Sequence, residues 1–371
     1  MKSLDMRLGL TLAAFFVGVP AFAGTVLNDT GVTQCVVYDD VQQRYVFTSA
    51  CAGTGQDGEF GRDVTVPANG NGQAGFAFEK IGASGEVLPR SAAHWSCVRD
   101  KVTGAMWEVK TTDGSLRDVT RRFTNLGNGQ ATDASGFVAA VNATGLCGAT
   151  DWRLPTYRES LSLIDYSVPQ GGPMLDAAWF PNSAADHHWT STSAAVNGGG
   201  PNYKWAVNHY GGDSIWYSGE YGEFAVRLVR LGKPIPVNRW VFNGAEVKDK
   251  STSLIWRRCG EGQAWTGSTC SGTPTSFLTA FDAAKHANAQ AASSGKPWRM
   301  PNAKELASLI DNRVNRPTID TTAFPGFYTD RYYTGTHWTE NPVYTWRVWF
   351  AQGELTLDFW GGRLLLVRDA D

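Results

Sequence analysis

The chain has 371 residues, 42% hydrophobic and 18% charged, with 33 basic against 35 acidic side chains. That length allows two or three domains of globular composition, and the near-even charge balance excludes the strong basic excess of a nucleic-acid binder. Fifteen Trp beside forty-one Gly point to short strands, tight turns and aromatic surfaces.

At the N-terminus, Lys2 and Arg7 flank the start of an apolar run, "LGLTLAAFFVGVP", and "AFA" (Ala21 to Ala23) follows in a small-x-small pattern. Residues 1–23 therefore read as a secretory signal peptide, whose apolar run is too short to span a bilayer. No later stretch is apolar enough for a membrane span, so the expectation is an exported protein that is periplasmic, surface-bound or secreted. Export makes the six cysteines readable as disulfides, with fifteen possible connectivities. Spacing favours neighbours: Cys35 with Cys51, Cys97 with Cys147, and Cys259 with Cys270. The absence of any C-x-x-C pair excludes zinc-ribbon and thioredoxin readings.

Residues 24–90 read as a small β-rich unit. Asp57, Glu59 and Asp63 lie among Gly turns there, a combination that suits calcium. Their spacing is not that of an EF-hand, so a solvated acidic turn is expected and no cofactor is called for.

From residue 91 the chain repeats itself. "DKVTGAMW" (Asp100 to Trp107) returns as "DKSTSLIW" (Asp249 to Trp256), and "DWRLPTYRESLSLID" (from Asp151) as "PWRMPNAKELASLID" (from Pro297). "LDAAWFP" returns as "IDTTAFP", "HWT" at His188 recurs at His337, "YKWAVN" returns as "YTWRVW", and "RLVR" as "LLVR". Six blocks in one order define two copies of a domain, 91–232 and 239–371, joined by a linker at 233–238.

Each copy begins with a strand ending at Trp107 or Trp256. An amphipathic helix follows, with Phe137, Val138 and Val141 on one face in copy one and Phe277, Phe281 and Ala284 in copy two. Gly145 and Gly295 stop these helices. The doubled stretch is helix-start chemistry: Thr156-x-x-Glu159 is a capping box, Asn302-x-x-Glu305 its Asn-capped counterpart, and Pro155 and Pro301 fix the entry direction. Trp152 and Trp298 are expected to be buried, as are Leu163, Ile164, Leu309 and Ile310. Arg153 and Arg299 read as structural, bridging backbone carbonyls or the shared Asp165 and Asp311. Short aromatic strands follow ("HHWTSTS", "YKWAVNHY", "SIWYSG", "FAVRLVR"), the last placed to pair beside the first, and the order predicts an α+β fold.

These blocks resemble the Lcl C-terminal domain family, named for the Legionella collagen-like protein. The residues that carry the resemblance are D-x-x-T-G-x-M-W at 100–107, "DWRLPTYRE" at 151–159, "FP" at 180–181, "WTSTS" at 189–193 and "VRLVR" at 226–230, with weaker forms in copy two. The resemblance implies two tandem C-type-lectin-like domains after the small N-terminal unit, an exported or surface location, and adhesion to glycosaminoglycans as the best-known activity. This chain lacks a Gly-X-Y collagen tract and a basic excess. The related formylglycine-generating enzymes need a late cysteine pair, yet neither copy has a cysteine after Cys147 or Cys270.

No G-x-S-x-G, H-E-x-x-H or Walker motif is present, and His187, His188 and His209 lack a carboxylate at metal-ligand spacing. The sequence therefore reads as a non-enzymatic recognition protein for a glycan or surface protein, with a structural component of a surface assembly as the alternative. Tyr203, Trp205, Trp216 and Tyr217 in copy one, and Tyr344, Trp346, Arg347, Trp349, Trp360 and Arg363 in copy two, offer the mixture of rings and charges that sugars require. Copy two, with 15 basic against 13 acidic residues, is the expected site.

Overall fold

The computed structural model describes residues 27–195, 200 and 202–370. The expected signal peptide, residues 1–23, lies outside these. A hairpin of β1 (Cys35–Asp39) and β2 (Arg44–Thr48) opens the described chain, followed by a one-turn helix α1 (Arg62–Thr65). The Cys35–Cys51 disulfide closes this unit, with Cα atoms 5.4 Å apart.

Copy one is built on an antiparallel sheet of β3 (Phe78–Ile81), β4 (Cys97–Asp100), β5 (Ala105–Glu108) and β9 (Val229–Leu231), in that order. Between β5 and β9 run helices α2 (Ala134–Thr144) and α3 (Tyr157–Ser162), then a meander of β6 (His187–Ser193), β7 (Tyr203–Asn208) and β8 (Ser214–Ser218). Copy two repeats this plan. Its four-stranded sheet is β10 (Trp240–Asn243), β11 (Glu246–Asp249), β12 (Ile255–Arg257) and β18 (Val367–Arg368). A small hairpin, β13 (Ala264–Trp265) and β14 (Cys270–Ser271), precedes helices α4 (Ala280–Ser294) and α5 (Ala303–Ala307). The meander is β15 (Arg331–Trp338), β16 (Asn341–Trp349) and β17 (Glu354–Asp358).

The structure is thus mostly β, with few and short helices. In both copies the strand carrying the repeated tryptophan pairs with the last strand: Trp107 faces Val229, and Trp256 faces Val367. β3 lies before residue 91 and pairs with β4 (Ile81 opposite Cys97), as β10 pairs with β11 in copy two. The other two disulfides also match the neighbour pairing: Cys97–Cys147 ties β4 to the end of α2, and Cys259–Cys270 closes the small hairpin.

Gly145 and Gly295 end α2 and α4 in the left-handed conformation, which a residue without Cβ adopts at least cost. Both expected capping boxes form, on Thr156 with Glu159 and on Asn302 with Glu305. A third, Thr279 with Asp282, starts α4. Thr279 is exposed and serves mainly this cap, so Thr279→Ala should cost about 1 kcal/mol, measurable by urea unfolding.

The doubled stretch explains how the copies meet. Tyr157, Leu161, Ile164, Tyr166 and Trp205 of copy one share one buried cluster with Trp256, Leu306, Ile310, Trp346 and Val348 of copy two. The α3 and α5 helices touch. The Tyr157 hydroxyl bonds with Ser214 Oγ (2.8 Å) and donates to the Gly353 carbonyl (3.3 Å), while Leu355 N–H donates to Ser214 Oγ. The apolar faces that the repeated helices must bury are buried partly against each other.

Candidate functional site

The last turn of copy two's meander carries a surface ladder of rings. Asp358, at the end of β17, accepts hydrogen bonds from the backbone N–H groups of Phe359 (2.6 Å) and Trp360 (3.0 Å), folding the "DFWGG" turn. The Phe359 and Trp360 rings stack with centroids 4.9 Å apart. Tyr344 meets Phe359 edge-on at 5.2 Å, and Trp338 meets Tyr344 at 5.7 Å. Trp360 is 68% exposed and Phe359 50%. Phe359 and Trp360 thus form an exposed aromatic pair, with Tyr344 and Trp338 half-buried behind them.

Arg347 holds this turn from below. It is fully buried, donates to the carbonyls of Trp360 and Gly361, and pairs with Asp358. The Tyr333 hydroxyl donates to the same Trp360 carbonyl at 2.9 Å. Arg331 pairs with Asp358 at 3.2 Å and lies 4.3 Å over the Trp349 ring.

The expected contact residues divide accordingly. Trp360 belongs to the exposed ladder. Trp346, 1% exposed, packs on Tyr166, and Trp205 is buried against Tyr157, so neither offers a ring face to a ligand. Arg347 is withdrawn for the same reason: its guanidinium is spent on its own turn. Arg363 is committed to Asp330 (3.0 Å) and to the Pro274 carbonyl. Trp349, Trp216 and Tyr203 are half-buried, while Tyr217 is exposed and packs against Phe224. Tyr344, expected from the sequence, joins the ladder, whereas Phe359 and Trp338 were not expected there. The available signal for Phe359 was the Asp-aromatic-aromatic-Gly-Gly turn, whose leading Asp caps the two amides that follow.

Two structural expectations need correction. Arg153 and Arg299 do bond backbone carbonyls, but their carboxylate partners are the capping-box residues Glu159 and Glu305, each held by a two-pronged contact. Asp165 and Asp311 bond elsewhere, to Ser167 and Arg313. The pairing makes mechanical sense, since one Glu closes both the cap and the Arg that anchors the "WR" turn. Trp152 and Trp298 are buried as expected.

The acidic turn also departs from the expected solvated one. Asp57 and Asp63 are not solvated; they are buried together with Asp29, one oxygen of each lying within 4.8 Å of the others. Glu59 turns away to accept from the Gly53 and Gly55 amides. Asp29 accepts from Thr30 N–H, Arg62 N–H, Asp63 N–H and Asn302 Nδ2. Asp57 accepts from the Thr30 and Thr336 hydroxyls at 2.7 and 2.6 Å. Burial, with the Asp29 charge beside it, pushes Asp57 up to about 8 and Asp63 up to about 11. The oxygen-only set suits a hard cation.

Among the described residues no histidine joins a group of three metal-ligand side chains. His188 and His209 are buried and stacked with centroids 3.7 Å apart, and His187 lies against Phe224. His188 and His337 occupy equivalent positions in β6 and β15, each bonded through Nδ1 to a backbone carbonyl.

Two copies of one β-rich unit, disulfide-bonded and joined by a shared core, define a tandem-repeat protein whose most distinctive surface is a row of aromatic rings. The family model for the Lcl C-terminal domain matches residues 96–230 and 245–368, and the chain belongs to that family. The two segments correspond to the two copies. Neither a curated protein nor a solved structure matches the chain. The family and the three disulfides fit an extracellular or surface-associated protein, and no helix of the described residues is long and apolar enough to cross a membrane.

Proposed function

We propose that the chain is an exported, non-catalytic recognition protein that holds a glycan or a surface protein on the aromatic ladder of copy two. The exposed Phe359–Trp360 stack, fixed by Arg347, carries this reading. Sugars present apolar faces that lie flat on rings and hydroxyls that need nearby charges. The ladder supplies the rings, and Arg331 and Asp358 stand at its margin. Because buried groups fix the turn, the rings are held in place before a ligand arrives, which reduces the ordering cost of binding. The closure of each copy by its first and last strands, with long loops between, supports a C-type-lectin-like character. Tyr217 gives copy one a smaller exposed counterpart, and two sites in one chain would add avidity.

Binding to a glycan array and to immobilised surface proteins tests the reading. Trp360→Ala should weaken binding about tenfold, the loss expected of one aromatic anchor. Its thermal midpoint should stay at the wild-type value, because the ring is mostly in solvent. A wild-type chain that binds neither class of partner would leave it a structural component of a surface assembly.

A further inference from the structure

We propose that Asp29, Asp57 and Asp63 bind one hard divalent cation, Ca2+ in preference to Mg2+, at the seam between the N-terminal unit and copy two. The three carboxylate oxygens all lie within 4.8 Å of one another, close enough to share one ion. An all-protein set of three carboxylates suits Ca2+, whereas Mg2+ keeps several waters and takes one or two carboxylates. The set contains no nitrogen or sulfur, which disfavours Zn2+.

A separate observation points to a missing partner. Asp63 is 1% exposed, and its Oδ1 makes no hydrogen bond. Its Oδ2 receives the Thr30 hydroxyl, at 3.3 Å, and that same hydroxyl lies 2.7 Å from Asp57. One hydroxyl carries one proton and can serve one carboxylate at a time. A buried carboxylate oxygen without a donor or counter-ion is costly enough that such groups are otherwise paired or coordinate metals.

The neighbouring cations do not fill the gap. Lys304 Nζ reaches between the units but bonds the Asp29 and Ser162 carbonyls, at 2.6 and 2.9 Å, not a carboxylate. Arg299 is held by Glu305 and Asp369. Asp29 is fixed in place by four N–H donors on its oxygens, which an ion would share with them. The Thr30 hydroxyl, already within reach of both other carboxylates, adds a neutral oxygen.

The location gives the ion a task. Asp29 is bonded to Asn302, at the start of α5, and Asp57 to Thr336 in β15. An ion held by the triad would clamp the N-terminal unit onto the second copy, independently of the aromatic ladder.

The test uses the full exported chain, stripped with EDTA and titrated calorimetrically with CaCl2, then with MgCl2. One Ca2+ per chain is expected to bind, with an affinity in the range of extracellular calcium modules, about 0.1–1 mM, and to raise the thermal midpoint. Asp63→Asn keeps the shape of the side chain and should abolish both responses. Glu59→Gln, which alters a carboxylate outside the triad, should leave both intact. Sensitised Tb3+ emission from the wild type, displaced by Ca2+, reads the site without relying on any variant. Absence of Ca2+ binding at several millimolar in the wild type, or undiminished binding by a folded Asp63→Asn, would overturn the proposal.

Discussion

Trp346→Ala lowers the unfolding free energy by about 3–5 kcal/mol, the range for removing a fully buried large aromatic side chain. Trp346 sits in β16 of copy two, but its ring lies against copy one. Its centroid is 4.8 Å from that of Tyr166, and a methyl group placed on Gly212 would come within 3.0 Å of its Cη2 atom. Gly212 has φ +78°, so that close approach and the turn both require glycine there. The cavity left by the variant opens in the cluster that both copies share, where neither can collapse alone. Chemical unfolding monitored by fluorescence and by far-UV dichroism should therefore shift together. Two separated transitions, with only copy two destabilised, would show that the copies fold independently despite the shared core.

The same residue shows what the sequence could and could not disclose. The repeat, the capping boxes, the helix-stopping glycines and the pairing of first with last strands are local or collinear signals. They were legible because each depends on residues a few positions apart or on order along the chain. The burial of "YTWRVW" was not legible. An exposed strand should alternate, but Thr345, Trp346, Arg347 and Val348 are all buried. One face of the strand meets copy one, where Trp346 packs. The other holds Arg347 under the Trp360 turn. Alternation cannot report two covered faces, so Trp346 and Arg347 read as surface residues when one is core and the other a brace.

The acidic triad was hidden for a related reason. Asp57 and Asp63 are close in sequence and visible as a pair, but Asp29 lies well upstream, and its fixing partner Asn302 is 273 positions away. No periodicity or motif carries such a contact. Glu59, which the local pattern grouped with the other two, points elsewhere because the amides of Gly53 and Gly55 offer it a nearer partner. The exposed ladder falls between these cases. Trp360 and Tyr344 could be named from composition, but Phe359 joins them only because the Asp358-capped turn folds the chain back over β16.

Acid destabilisation should reveal the buried histidines. His337 is 2% exposed, and burial lowers its pKa from 6.5 to about 4. The Pro342 carbonyl can only accept, so the Nδ1 bonded to it at 3.1 Å carries the proton of a neutral ring, which stacks on Phe281. Burial likewise lowers His188 and His209 well below the usual value. Between pH 6.5 and 4 the unfolded chain binds a proton at each position that the folded chain does not. Stability from these groups is therefore complete above pH 6.5 and is lost as the pH falls towards 4. For His337 the loss by pH 4 is about 3 kcal/mol. Asp100 and Asp165, whose pKa values burial raises, act in the opposite direction over the same range, so the total curve conceals the term. The difference between wild type and His337→Gln isolates it. In urea unfolding at pH 7, 6, 5 and 4, the wild-type advantage should shrink by about 3 kcal/mol from the first to the last. A difference that stays constant across the series would mean that His337 titrates alike in the folded and unfolded chains.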